Sequence, residues 1–169
     1  MLVIADTSLL INFLNVDRVY LIGKHNPRCA ITDHVLAEIT DFYPHQQARL
    51  DAAIADGHLE VTTVTADPEI ELFAQLHTSG RLGAGECSAI TVAIKRGYLL
   101  GIDDKRAIRD AQAVAASENA NLAVLTTQDI VVRLIRAGSI TVEQADVMLV
   151  AWRTQYRFTL AIKSFAELL

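Results

Sequence analysis

The amino-acid sequence predicts an α/β fold, in which a central parallel β-sheet is flanked by helices within a single domain of residues 1–169. Three observations lead to this prediction. Short apolar runs of strand length alternate with longer segments in which apolar residues recur every three or four positions. Several runs are apolar throughout, which is typical of strands buried on both faces of a parallel sheet. Apolar residues make up 51% of the chain, which is too many for a disordered protein.

Five strands are predicted from the apolar runs. The first run ends at Asp6, and the fourth ends at the pair Asp103-Asp104. Ligands of such sheets bind at the carboxyl ends of the strands, so these acids are expected where a ligand would bind. The predicted strands are residues 2–5, 29–32, 59–64, 98–102 and 122–125.

Helices are predicted where a start or stop signal flanks an amphipathic segment. Thr7 or Ser8 can cap the first helix, and Asp67-Pro68-Glu69 combines a cap, a proline and a first-turn acid. Arg96-Gly97 is typical of a helix C-terminus, because a cation lies in the last turn and glycine can adopt the left-handed conformation. The predicted helices are residues 9–14, 34–42, 44–56, 67–77, 86–96, 105–117, 127–137 and 141–154, with a polar connector at residues 15–27.

The net charge of −5 argues against a protein that coats nucleic acid through a general basic surface. It is compatible with an enzyme whose acids are concentrated in a metal pocket, because four such carboxylates would account for most of the net charge. A zinc site is not predicted, since Cys29 and Cys87 have no metal-ligand spacing and the five histidines form no His-x-x-His or His-x-x-x-His pair.

The chain is expected to be cytoplasmic. Its opening residues have no basic region before an apolar one, and Asp6 interrupts them, so we expect no signal peptide. No uncharged apolar run approaches the roughly 20 residues of a membrane span, so no membrane association is predicted. Cys29 and Cys87 are expected to be buried thiols in a reducing compartment.

Two further carboxylates, Glu38 and Glu86, each fall in an otherwise apolar helical stripe. Together with Asp6, Asp103 and Asp104 they could meet at one site. Two carboxylates about 4 Å apart repel by about 4 kcal/mol at an effective dielectric of 20, so such a group requires protonation or a bound cation. Oxygen-only ligands suit Mg²⁺ or Mn²⁺, and such a metal can activate water for phosphodiester hydrolysis.

Each of these acids also has an ordinary structural explanation. Asp104 fits a helix N-cap, Asp6 an Asx-turn, and Glu86 a first-turn partner of the helix dipole. His34 lies four residues before Glu38 on one helix, where it is either an additional metal ligand or a surface residue. Spacing alone therefore leaves open both a shared metal site and a set of separate caps.

Four motifs occur in a characteristic order along nearly the whole chain. They resemble the PIN-domain superfamily, which includes the VapC-type toxin ribonucleases of prokaryotes, and are most similar to a branch of predicted nucleic-acid-binding proteins. Each motif is weak alone, whereas their order and spacing together are fairly specific. The motifs are Asp6-x-Ser8, Val35-x-x-Glu38, Leu82-x-x-Gly85-Glu86-x-x-Ala89-Ile90, and Leu99-Leu100-Gly101-Ile102-Asp103-Asp104 followed by Arg109 and Ala111.

The resemblance implies a ribonuclease that uses Mg²⁺ or Mn²⁺ to cut single-stranded RNA with a metal-activated water. It also implies a homodimer and, if the protein is a toxin, an antitoxin partner. Basic residues after the acidic pair could hold RNA phosphates or could simply form a solvated helix face. The implied catalytic residues are Asp6, Glu38, Glu86 and Asp104, the metal ligands are Asp6, Glu86, Asp104 and Asp103, and the RNA-contacting candidates are Ser8, Lys105, Arg106 and Arg109.

Two departures from the family pattern bear on activity. Ile102 replaces the Thr or Ser that usually stands two residues before the later acid, and a fourth late acid is not clear because Asp129 falls within a predicted helix. These departures favour an alternative, a PIN-like module that binds RNA or a protein without turnover. A phosphoacceptor signalling domain is disfavoured, because such domains usually carry their acid pair at the first strand and a lysine at the last.

Overall fold

A computed structural model describes residues 2–24 and 28–169 of the chain. Its centre is a five-stranded sheet with the order β3-β2-β1-β4-β5, and every neighbouring pair of strands is parallel. The predicted parallel sheet is therefore confirmed. The strands are β1 (Leu2–Ala5), β2 (Arg28–Thr32), β3 (Glu60–Thr62), β4 (Leu99–Gly101) and β5 (Val124–Leu125).

Helices flank this sheet on both faces. In the predicted helix at 44–56, residues 44–46 form a 3₁₀ turn and the α-helix begins at Gln47. A second 3₁₀ turn lies near the C-terminus. The helices are α1 (Thr7–Asn15), α2 (Tyr20–Lys24), α3 (Asp33–Phe42), α4 (Gln47–Ala55), α5 (Asp67–Thr78), α6 (Ala84–Arg96), α7 (Lys105–Ser117), α8 (Thr127–Arg136) and α9 (Val142–Gln155).

Sequence reasoning was wrong about part of the 15–27 connector, because residues 20–24 form α2. The part of the prediction at residues 25–27 lies outside the described residues. Five residues are too few to show helical periodicity, yet Leu21 and Ile22 are buried and hold α2 on the core. The predicted strands at 59–64 and 122–125 are also longer than β3 and β5. Both lie at an edge of the sheet, where a strand has hydrogen-bonding partners on one side only.

The caps of two helices also differ from prediction. Asp6, rather than Thr7 or Ser8, is the N-cap of α1, because its side chain accepts a hydrogen bond from the Leu9 N–H. Ala66 stands at the N-cap position of α5, one residue before the predicted Asp67. The observed cap of α1 matters for function because it uses an acid that sequence reasoning assigned to a site.

Two apolar layers cover the two faces of the sheet. Side chains alternate along β1, so Val3 and Ala5 join the layer that includes α1, α3, α8 and α9, whereas Ile4 joins the layer formed with α5, α6 and α7. In the first layer Trp152 is fully buried, and its indole N–H donates to the Asn12 carbonyl oxygen at 2.7 Å. Within the described parts of the chain, no helix is long and apolar enough to cross a membrane.

Candidate functional site

Asp6 lies directly after β1, and only 1% of its surface is exposed. Its Oδ1 accepts a hydrogen bond from the Leu9 N–H at 2.9 Å, and the Ser8 hydroxyl lies 2.8 Å from its Oδ2 and donates to the carboxylate. Burial raises the pKa of Asp6 to about 7, and the neighbouring charge of Asp103 adds to this rise, although the two donors oppose it. The two donors therefore hold the Asp6 carboxylate in one orientation. No positive charge is among the described groups that shift its pKa.

Asp103 follows β4, the strand paired with β1, and is the acid whose charge raises the pKa of Asp6. Its Oδ1 accepts from the Thr127 N–H at 2.9 Å, and its Oδ2 accepts from the Thr127 hydroxyl and the Asn12 amide. Its own N–H donates to the Ser8 hydroxyl at 3.3 Å, so Ser8 connects the two acids. Burial is the main cause of the raised pKa of Asp103.

Glu38 connects two helix starts on the other side of the site. Its Oε2 accepts from the Thr7 hydroxyl at 2.5 Å, and its Oε1 accepts from the Gly85 N–H at 2.7 Å. Thr7 is the first residue of α1 and follows Asp6, whereas Gly85 is the second residue of α6. The two contacts therefore place this half-buried carboxylate next to the Asp6 side of the site.

Glu86 and Asp104 both act as helix caps. Glu86 accepts from the Gly83 N–H at 2.9 Å, and Asp104 accepts from the N–H groups of Arg106 and Ala107 at 2.8 Å each. Burial raises the pKa of Glu86, and the charges of Asp104 and Glu38 raise it further. Glu86 and Asp104 thus have the cap geometry that was their ordinary structural explanation. They are also close enough for the charge of Asp104 to raise the pKa of Glu86.

The predicted acids fall into two adjoining groups: Asp6 with Asp103, and Glu38 with Glu86 and Asp104. Across residues 2–24 and 28–169, no three side chains of His, Cys, Asp or Glu lie close enough together to hold a metal ion. The donor chemistry nevertheless fits Mg²⁺ or Mn²⁺, because all the groups are carboxylates. A carboxylate has about four lone-pair positions, and the donors on Asp6 and Asp103 leave room for a metal on each.

The RNA-contacting candidates occupy different positions. The Ser8 hydroxyl is directed to Asp6, whereas the three basic residues are exposed on α7. Of these, Arg106 lies close enough to Glu86 for its charge to oppose the rise in pKa of that acid. The exposed set comprises Lys105, Arg106 and Arg109.

Sequence reasoning missed Asn12 and Thr127, the two side chains that hold Asp103. Both are buried, with 6% and 0% of their surfaces exposed. A signal for Asn12 was available, because it is a polar residue within the apolar stretch of α1. Asp129, which sequence reasoning left unassigned, lies in the first turn of α8, accepts from Thr126, and raises the pKa of Asp103 through its charge.

A cavity formed by described residues lies away from these acids. It has a volume of about 570 Å³ and is lined by residues of α2, α4 and α9 and of the segments that flank α2 and α9, including Tyr20, Arg49, Met148 and Tyr156. None of the five acids lines it. The candidate site is therefore assigned from the chemistry of its side chains and not from cavity volume.

Comparisons with known proteins concern the family and the fold of the chain. A family model described as a PIN domain matches residues 2–169. A comparison with curated proteins found no match.

Eight chains of solved structures also match. One is a PilT N-terminus domain protein from the hyperthermophilic archaeon Sulfolobus solfataricus P2, which is 17% identical with a TM-score of 0.51 and covers 77% of this chain and 90% of its own. Another is VapBC2 from Rickettsia felis bound to a DNA fragment from their promoter, which is 20% identical with a TM-score of 0.52 and covers 75% of this chain and 98% of its own. At these identities the likeness shows a shared fold.

Proposed function

Because the chain belongs to the PIN-domain family, we propose that it is a metal-dependent endoribonuclease that hydrolyses phosphodiester bonds of single-stranded RNA. The observation that carries the proposal is the pair Asp6 and Asp103, which stand at the ends of two neighbouring strands and are connected by Ser8. A divalent metal would stabilise the charged form of these two buried carboxylates, which have no compensating cation among the described residues.

Asp6 and Asp103 would hold Mg²⁺ or Mn²⁺ together with several waters, because Mg²⁺ is usually bound through only one or two carboxylates. Glu86 and Asp104 are the further ligands that the adjoining group could supply. When bound, such a metal lowers the pKa of a coordinated water and polarises the phosphate that the water attacks. Glu38, whose oxygens are held by Thr7 and Gly85, is the side chain that would take up a proton as water attacks the phosphate.

The remaining side chains of the site have orienting roles in this proposal. Ser8 and the Leu9 N–H hold Asp6, while Asn12 and Thr127 hold Asp103. Partners of metal ligands typically contribute about 10- to 100-fold to metal affinity or activity. We therefore expect these neutral donors to matter although none of them would touch the metal.

The basic residues of α7 would bind the RNA backbone. They follow Asp104 directly, and their exposed side chains form a local positive patch on a chain of net charge −5. Such contacts to phosphates position a nucleic acid without reading its sequence. The patch consists of Lys105, Arg106 and Arg109.

We also propose that the protein is the toxin of a toxin–antitoxin pair, that it forms a homodimer, and that it acts in the cytoplasm. The fold shared with VapBC2 of Rickettsia felis supports the toxin–antitoxin assignment. Cys29 and Cys87 are both buried and unpaired, as expected in a reducing compartment. Coexpression with the product of the adjacent gene, followed by size-exclusion chromatography, would detect an antitoxin complex and report the stoichiometry of the toxin.

The test of the enzymatic proposal is an assay of labelled single-stranded RNA with purified protein. We expect cleavage with Mn²⁺ or Mg²⁺ and none after addition of a chelator. Cleavage that continues unchanged in the chelator would contradict the proposal. RNA binding without cleavage would instead support the second candidate, a binding module, which is favoured by the cap contacts of Glu86 and Asp104.

Gly85→Ala is expected to reduce cleavage about tenfold or more while changing the free energy of unfolding by less than about 1 kcal/mol. An added Cβ would lie 2.7 Å from Cδ of Glu38, so this flexible side chain must move away from its bond to the Gly85 N–H. The fold should tolerate the change, because alanine is a better helix former than glycine.

Gly83→Ala is the matched control, since its Cβ would stay 3.4 Å from the nearest Glu38 oxygen. Cleavage rates and thermal unfolding of both variants check the prediction. Equal losses of activity in the two variants would show that the position of Glu38 is not the cause.

A further inference from the structure

Three aromatic rings form a row on the surface between α3 and α5. The His34 ring lies 4.7 Å from the Phe73 ring at an interplanar angle of 44°, and the Phe73 ring lies 5.7 Å from the His77 ring at 15°. We call these three residues the aromatic row. Its two ends are imidazoles, and its middle member packs partly against the apolar layer of α5, α6 and α7.

The aromatic row lies beside the candidate site. His34 is in the first turn of α3, immediately after β2, and is four residues before Glu38, so the two side chains share one face of the helix. His77 is in the last turn of α5, six residues before Gly83, whose N–H binds Glu86. The row therefore extends between the helix that carries one site carboxylate and the loop that leads to another.

Core packing accounts for Phe73 but not for the two imidazoles. The His34 side chain is 35% exposed, and His77 is exposed. Asp33 holds the His34 ring through a contact of 3.1 Å between its Oδ1 and Nδ1 of the histidine. Both ends of the row are therefore accessible to solvent.

We propose that the aromatic row is a stacking platform for an unpaired base of the RNA next to the bond that is cut. This inference rests on the proposed ribonuclease function and names the substrate class that the site selects. Unstacked bases of single-stranded RNA pack on aromatic and histidine side chains, whereas the bases of a duplex are already stacked on one another. Because every base has a flat face, the platform selects single strands and reads little sequence.

The experiment compares RNA affinities in an Asp6→Asn background, in which cleavage is expected to fall at least about a hundredfold. A short fluorescein-labelled single-stranded RNA is titrated by anisotropy, and a second RNA carries abasic sites in place of its central bases. We expect His34→Ala and His77→Ala each to weaken binding of the first RNA about fivefold or more. His34→Tyr and His77→Tyr should each retain the affinity.

Binding of the abasic RNA should be weak for the parent and should not weaken further in the alanine variants. The matched control is His45→Ala, because His45 is an exposed histidine beside Tyr43 in the turn after α3 and is not part of the row. Phe73→Leu is measured with thermal unfolding, since Phe73 also contributes to packing.

Alanine variants that bind the first RNA as tightly as the parent, or that lose affinity equally for both RNAs, would overturn the proposal. Cleavage by the wild type is measured in parallel, so the two hypotheses fail separately. Cleavage by the wild type, together with unchanged RNA affinity of the alanine variants, would contradict the platform but not the nuclease. Base-dependent RNA binding without cleavage would support the platform and contradict the proposed nuclease activity.

Discussion

The Asp6→Asn protein is expected to lose RNA cleavage by at least about a hundredfold and, at pH 8 without divalent metal, to be more stable than the wild type. The loss follows because residues that only orient metal ligands already contribute about 10- to 100-fold to metal affinity or activity. Removal of a ligand itself should reduce activity at least as much. The gain follows because the substitution removes a charge whose side chain is 1% exposed. Asparagine also remains a good N-cap for α1.

The sign of the stability effect depends on the pKa of Asp6, which is about 7 in the folded protein against an ordinary value of 3.8. Below the ordinary value both the folded and the unfolded state hold the proton, so folding stability carries no penalty. Between the two values the unfolded state releases its proton first, and wild-type stability falls as pH rises. Above the folded pKa the penalty is complete, at about 4 kcal/mol as an upper estimate, and Asp6→Asn avoids it at every pH.

Thermal unfolding at pH 5 and pH 8 with and without Mn²⁺ checks this prediction. The advantage of Asp6→Asn should be larger at pH 8, and Mn²⁺ should raise the melting temperature of the wild type but not of the variant. Asp56→Asn, at the exposed C-cap of α4, is the control and should behave as the wild type. An Asp6→Asn protein that melts below the wild type at pH 8 would show that burial of this charge does not destabilise the fold.

Asp103→Asn is expected to reduce cleavage at least about a hundredfold, whereas Asp104→Asn should reduce it only about tenfold. The half-buried Asp103 is held by Asn12 and Thr127 beside Asp6, whereas the exposed Asp104 caps α7. Asparagine caps helices about as well as aspartate, so Asp104→Asn should change the free energy of unfolding by less than about 0.5 kcal/mol.

Single-turnover cleavage rates with saturating Mn²⁺ measure this difference between two adjacent acids. A larger loss in Asp104→Asn than in Asp103→Asn would assign the principal metal ligand to the exposed acid. Melting temperatures of the two variants should be recorded in parallel, since a loss of fold would reduce activity for another reason.

The sequence was sufficient to predict the sheet and most helices because local signals and packing agree in these segments. Residues 2–5 are apolar throughout, as in a strand with covered faces, and β1 lies at the centre of the sheet. Gly97 has φ +66 and ends α6 as predicted, because glycine adopts this conformation without strain. The helix α2 was missed because five residues are too few to show a helical period. Its position depends on the packing of Leu21 and Ile22 in the core.

By itself, the sequence determined which acids follow strands and which lie on apolar helical faces, since both depend on local pattern. Only the tertiary structure decided how these acids are grouped. Asp103 and Asp104 are adjacent in sequence and follow the same strand, yet the carboxylate of Asp103 is bound by Asn12 and Thr127, whereas that of Asp104 caps α7. The physical reason is that the two acids differ in burial and in their hydrogen-bond donors. The donors to Asp103 are Asn12 and Thr127, which are distant along the chain and meet only when the helices pack on the sheet.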